Sequence, residues 1–294
     1  MPTHALNDTH LGSLAVYLQS RDASASLGSS SKLFYLNQLI IPPPGTAILV
    51  GLISAEIPYS FYTVNANNNT MTVQTKVGSN NPVETIITID PGNYDTDTLT
   101  DTLNSKVSNA KFSFDEVTNK FTFAKDGPTD YVSISASTMH KIMGFSIQQL
   151  QSVPTAESIV AADCVNLAGT SSVYVNFPNL GIQNLDSRGD LNGVVAKLNV
   201  NCNPGEYIFY QQTETQYYMI SNRQIQNFQL SLTDDDNNLL EMNGADFSVT
   251  LSVHFSKLRE PFSANKYLVN RRNVPDLEDD KEPVKKEKRV KKKN

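Results

Sequence analysis

The sequence predicts an all-β protein of antiparallel sheets that carries a small α+β insertion. Three observations predict it. Phe247, Val249, Leu251, Val253 and Phe255 alternate with Ser248, Thr250, Ser252 and His254, so an extended backbone puts every apolar side chain on one face. Phe228, Leu230 and Leu232 alternate in the same way just upstream, with the polar run 233–238 and a short piece at 239–243 between, as in a meander. Second, 39% of the 294 residues are hydrophobic and only 18% charged, with many Asn, Ser and Thr, a balance suited to strands and polar loops. Third, the stretch 87–150 changes character and reads as strand, helix, hairpin, strand and short helix.

Taken in order, residues 1–31 are rich in Ser, Ala, Asn and Asp and read as a flexible N-terminal arm. Leu33 to Ile41 is the first strand, ended by three prolines and Gly45. Ile48 to Ile57 is apolar on both faces, the pattern of a strand covered on both sides or lying at a subunit contact. Tyr59, Phe61 and Tyr62 follow it directly, either as a plug at the end of the sandwich or as a subunit interface. Met71 to Val77 and Thr85 to Ile89 are strands. Pro91 and Gly92 have the order of a type II turn. Asp95 then caps a helix with the stripe Leu99, Leu103, Val107, and Tyr94 is placed to staple onto Leu99.

Phe112 and Phe114 face Phe121 and Phe123 across 115–120, a hairpin. Tyr131 to Ile134 is a strand, and Ser135 or Ser137 caps a short helix ending at Gly144. Strands return at 165–167, 173–177, 194–200, 207–209 and 224–232. The expected organisation is an arm at 1–31, a β domain from 32–89 and 151–260, an insertion at 90–150, and an irregular to disordered tail at 261–294.

The net charge of -6 is unevenly placed. Lys285, Lys286, Lys288, Arg289, Lys291, Lys292 and Lys293 oppose a single acid, Glu287, giving the tail +6 and leaving -12 to the rest. Such a body repels nucleic acid, whereas the tail can neutralise phosphates, act as a localisation signal or simply solubilise the end. No apolar run reaches a membrane span, and the polar N-terminus lacks the features of a secretory signal. Cys164 and Cys202 are too few and too far apart for a disulfide framework, and they read as buried structural thiols of a protein folding in a reducing compartment.

No catalytic, metal or cofactor signature emerges, so an enzyme is not expected. The four histidines lack helical zinc spacing. His254 lies on the polar face of its strand, a solvent or interface residue. Asp234, Asp235 and Asp236 lack the Gly and distant Glu of a calcium loop and read as a solvated hairpin tip.

The segment from Ile53 to Tyr62, with Val64 and Asn65, resembles the early strand and aromatic turn of the minor capsid, or penton, proteins of virophages and Polinton-like viruses. Further elements follow in that family's order. Ile87 to Tyr94 resembles its strand leading to a Pro-Gly-x-Tyr turn and helix, and Met143, Gly144, Phe145 its Leu-Gly-Phe-like element. The Asp234 to Asn243 connector with the Phe247 to Phe255 strand resembles its last hairpin. The resemblance covers about 33–256 and does not account for the lysine-rich tail. It implies a single jelly roll with eight antiparallel strands, and a homopentamer at the vertices of an icosahedral double-stranded DNA virus capsid. It also implies the virion as location, after assembly in the host cell, and the major capsid protein of the same virus as partner, with packaged DNA a further partner if the basic tail faces inward. A jelly roll that binds carbohydrate or attaches to a host is the alternative.

Overall fold

The computed structural model describes residues 10–151, 156–185 and 191–257. The chain begins with β1 (His10–Gln19), β2 (Ala25–Ser26), β3 (Ser31–Ile40) and β4 (Thr46–Pro58). After a long excursion it continues with β11 (Ser172–Asn176), the short pair β12 (Asn184–Leu185) and β13 (Leu191–Asn192), then β14 (Val194–Asn199), β15 (Tyr207–Gln211), β16 (Tyr218–Met219), β17 (Ile225–Thr233) and β18 (Ser248–Lys257). One sheet runs β1-β18-β4-β15, with β16 also on β4, and the other runs β14-β11-β17-β3-β2.

The pairing is nested. Of the eight long strands, the first pairs with the last, β1 on β18, and the second with the seventh, β3 on β17. The third pairs with the sixth, β4 on β15, and the fourth with the fifth, β11 on β14, all antiparallel. That order is a jelly roll. Its two sheets enclose one core in which Ile48, Val50, Leu52, Phe177, Phe228, Leu230 and Leu251 are almost wholly buried. Phe177 and Phe228 meet edge to face, their centroids 6.1 Å apart.

Residues 10–19, expected in a flexible arm, form an edge strand instead. Leu14, Val16 and Leu18 alternate with Ser13, Ala15 and Tyr17, and Val16 and Leu18 are buried against β18. Val165 to Leu167, read as a strand, is irregular, although the Val165 N–H still donates to the Asn119 carbonyl at 2.8 Å.

Between Pro58 and Ser172 the chain builds a second core. It comprises β5 (Thr70–Val77), β6 (Val83–Thr88), α1 (Thr96–Asn104), β7 (Ala110–Asp115), β8 (Lys120–Lys125), β9 (Thr129–Ser137), α2 (His140–Met143), α3 (Ile147–Gln151) and β10 (Ser158–Val160). Its sheets run β6-β5-β9 and β10-β8-β7. The cluster extends from Val64 to Ala161, wider than the expected 90–150, because β6 pairs with β5, β5 with β9, and β10 with β8.

Local chemistry explains most of these elements. Asp95 accepts from the Thr98 N–H at 2.8 Å while the Thr98 hydroxyl serves the Asp95 N–H at 3.1 Å, a reciprocal capping box. The apolar stripe then buries Leu99 and Leu103 completely. In the hairpin, Phe112 and Phe123 stack with centroids 4.4 Å apart, and Asp115 organises the turn by accepting from the Val117 N–H and the Thr118 hydroxyl.

Two turn readings need correction. Gly92 is not at positive φ, as a type II turn would require; it exchanges hydrogen bonds with Val64 and lies under the Tyr94 ring. Neither Ser135 nor Ser137 caps α2, whose N-cap is Met139; the Ser137 carbonyl instead meets His140 Nδ1 at 2.7 Å. Gly144 does end α2, in the left-handed conformation.

Candidate functional site

The aromatic turn after β4 divides. Tyr59 and Phe61 are only 6% and 3% exposed, their rings 4.6 Å apart, and both belong to the jelly-roll core. They plug the sandwich and offer a neighbour no surface, which corrects their reading as interface residues. Burial pushes the Tyr59 phenol pKa upward, with the nearby Cys202 adding to the shift. Tyr62, at 36% exposed, keeps a free face. The basic residues Lys285, Lys286, Lys288, Arg289, Lys291, Lys292 and Lys293 lie outside the described residues.

Other readings also shift. Cys164 is exposed rather than buried, and Cys202 is half-buried with its thiol pKa raised by burial and by Glu206. His254 is not simply solvated: the Tyr217 hydroxyl lies 2.6 Å from its Nε2. Tyr217 belongs to the 212–217 connector, which crosses the sheet at Gly51, where an added Cβ would fall 2.5 Å from the Thr215 methyl and 2.8 Å from the Gln216 carbonyl.

The 234–236 tip is partly solvated, but it also reaches the insertion. Asp234 accepts from the Asp236 and Asn238 N–H groups, fixing the turn. Asp235 takes the Ser171 hydroxyl, and Asp236 pairs with Lys141 of α2 at 2.9 Å. A polar hollow of about 170 Å³ lies beneath, lined by Asn65, Asn68, Asn166 and Thr170 among others. Among the described residues no group of three or more His, Cys, Asp or Glu side chains could hold a metal ion, and no helix is long and apolar enough to cross a membrane.

The outer faces of the two sheets differ in exposure. On the first, register places Tyr17, Thr250, Ser54 and Gln211 in one row, and Gln19, Ser248, Glu56 and Phe209 in the next. Tyr17 is 74% exposed and Phe209 70%, and Phe209 stacks on Tyr207 at 5.8 Å. Glu56 is the one charged side chain at the outward positions paired in this sheet among the described residues.

On the second sheet the rows on the side away from the core are Lys197, Tyr174, Thr233, then Asn176, Ser231, Ser31, then Gln229 with Leu33 and Asn227 with Tyr35, but Thr233, Asn176, Ser231 and Ser31 are covered, only 3–8% exposed. Lys197 is the one charge there among the described residues, its ammonium 5.4 Å from the Tyr174 ring centroid. Tyr35 is 56% exposed. On the first face, exposed aromatics with almost no charge are the composition of an interface centre, not of an ordinary solvated surface. These faces went unnoticed in the sequence because only register shows which polar and aromatic residues share a side.

Below the rim of the first sheet, β1 and β3 line an apolar groove of about 510 Å³ that includes Leu14, Leu39, Ile41 and Phe255.

No family model matches the sequence, and no curated protein matches it. Among solved structures the chain is similar to the mavirus penton protein, at 11% identity and a TM-score of 0.40, over 83% of this chain and 100% of that one.

Proposed function

We propose that this chain is a structural subunit of a virus capsid, a minor capsid or penton protein of which five copies close an icosahedral vertex. The observation that carries the reading is the outer face of the first sheet. It presents Tyr17 and Phe209, 74% and 70% exposed, among hydroxyls and amides with Glu56 as the one charge among the described outward positions. Surfaces of that composition are suited to being covered by copies of the chain or by capsid neighbours. The segments that resemble penton proteins support the same reading by their positions in the fold. Ile53 to Tyr62 is the end of β4 and the plug of the sandwich, and Asp234 to Phe255 is the return into β18. In this role the major capsid protein of the same virus surrounds the vertex, and the basic tail meets packaged DNA.

The test is the mass of the purified protein in solution, by light scattering after size exclusion over a range of concentrations. A species of about 162 kDa, five copies of the 32.4 kDa chain, is expected. A monomer at every concentration that instead retains defined oligosaccharides would replace this reading with a carbohydrate-binding one.

A further inference from the structure

We infer that β6 is an open sheet edge onto which an extended, basic segment of a different polypeptide adds as a further strand, antiparallel to β6 and with a Lys or Arg opposite Glu84. This contact lies on the insertion and is separate from the jelly-roll face proposed for assembly.

The two sheets of the insertion have four edges, and three of them are closed. The Asn104 side chain at the end of α1 holds both backbone groups of Phe112, accepting from its N–H at 2.7 Å and donating to its carbonyl at 3.0 Å, and so occupies the outer edge of β7. Gln149 of α3 does the same beside β10, donating to the Val160 carbonyl at 2.6 Å and accepting from the Ala162 N–H at 3.1 Å. β9 is met by Ala156, whose carbonyl takes the Val132 N–H at 3.0 Å.

β6 has no such partner among the described residues. The Ile89 N–H donates to the Asn69 carbonyl at 3.1 Å, which sets the alternation along the pair. Ile87 and Thr85 turn their backbone groups to β5, whereas Thr88, Ile86 and Glu84 turn theirs outward. An edge of this kind accepts another strand unless it is defended by Lys, Pro or a bulge. Within Val83–Thr88 there is no Lys or Pro, and the register with β5 is unbroken. Val83 is 60% exposed and Ile86 71%.

Charge decides the occupant. Residues 64–161 hold ten Asp and Glu against six Lys, a net charge of -4. Setting β6 against β6 of a second copy would bring two acidic insertions edge to edge, which like charge opposes. Glu84 is exposed and has no ion pair among the described residues, so a cation in its row gives it one. Ile86 shares that face and favours a β-branched side chain opposite.

Titration of the full protein with the end-capped peptide Thr-Thr-Val-Thr-Lys-Thr, read by amide hydrogen exchange, tests this. Antiparallel on β6, the peptide sets its Val opposite Ile86 and its Lys opposite Glu84. At saturation the Glu84, Ile86 and Thr88 amides are expected to exchange about tenfold more slowly or less, while Leu251 in the jelly-roll core is unchanged. Exchanging the peptide Lys for Glu should weaken binding about tenfold. Ile86→Pro removes one outward N–H and leaves the bonds to β5, so it should abolish the protection. If that variant unfolds, Glu84→Lys keeps the backbone intact and should reverse the preference between the two peptides. No protection at millimolar peptide overturns the inference, as does equal binding of the Lys and Glu peptides. Protection of the same three amides that rises with protein concentration in the absence of peptide also overturns it, and assigns the edge to a second copy.

Discussion

Gly144 offers the sharpest test of how the insertion is held together. It ends α2 at φ 77° and ψ 12°, and a Cβ built there would lie 2.2 Å from the Asp163 carbonyl oxygen, 2.8 Å from its carbon and 2.9 Å from the Cys164 oxygen. These are backbone atoms and cannot rotate aside. In Gly144→Ala the left-handed conformation costs about 1–2 kcal/mol. Relieving the overlap must also push the irregular 163–166 segment away, giving up the Asp163 N–H to Gly144 bond at 2.9 Å and the Asn166 N–H to Ile142 bond at 2.7 Å. At about 1 kcal/mol each, the total is about 3–4 kcal/mol.

Gly127→Ala is the control: φ is +60° and nothing lies within 4 Å of the added carbon, so only the conformational cost of about 1–2 kcal/mol applies. Urea unfolding of both variants, compared at equal m-value, measures the difference. If the two substitutions cost the same, the close approach of 163–164 to α2 does not contribute and the account of this junction is wrong.

Other outcomes follow from the same structure. Phe112→Ala removes a fully buried ring stacked on Phe123 and should cost about 3–5 kcal/mol by chemical unfolding, against less than about 0.5 kcal/mol for exposed Val117→Ala. Lys141→Ala breaks an ion pair between side chains 68% and 62% exposed, so thermal unfolding should shift by no more than about 1 kcal/mol equivalent. The Asp95 carboxyl is held below its ordinary value of 3.8 first by the Thr98 hydroxyl and then by the Thr98 N–H. Because the folded pKa is the lower one, its contribution is complete above 3.8 and disappears as pH falls through the depressed value. The Tm difference between wild type and Asp95→Asn should therefore shrink on acidification below 3.8, and a difference constant with pH would refute the assignment. Deleting 276–294 should flatten the dependence of log K on log salt for DNA binding by up to about 6, measured by fluorescence titration.

How far the sequence disclosed the fold follows from the range of the interactions involved. The period-two pattern of β18, the Asp95 cap and the Phe112 to Phe123 hairpin depend on residues close in the chain, and all three are legible from the residues alone. β1 carries the same alternation, but its polar flanks dominate the composition of the first 31 residues. The strands β5 and β6 are legible as strands, yet nothing local distinguishes a sheet in which β5 joins β6 to β9 from pairing within the jelly roll. Tyr59 and Phe61 read equally as plug or anchor until the sandwich closes over them. Tyr17, Glu56 and Phe209 come to share one outer face only once β1, β18, β4 and β15 are in register.

The nested pairing also governs when a newly made chain becomes competent. β18 fills the place between β1 and β4, so the first sheet has a missing centre until almost the whole described chain has left the ribosome. The insertion has its strands and helices within one continuous stretch and can condense earlier, from nearer neighbours. Glu56, Ser248 and Phe209 cannot form one row before β18 arrives. Synthesis thus acts as a clock: the surface proposed to bind the next copy comes into existence last, which protects nascent chains from joining one another half-built.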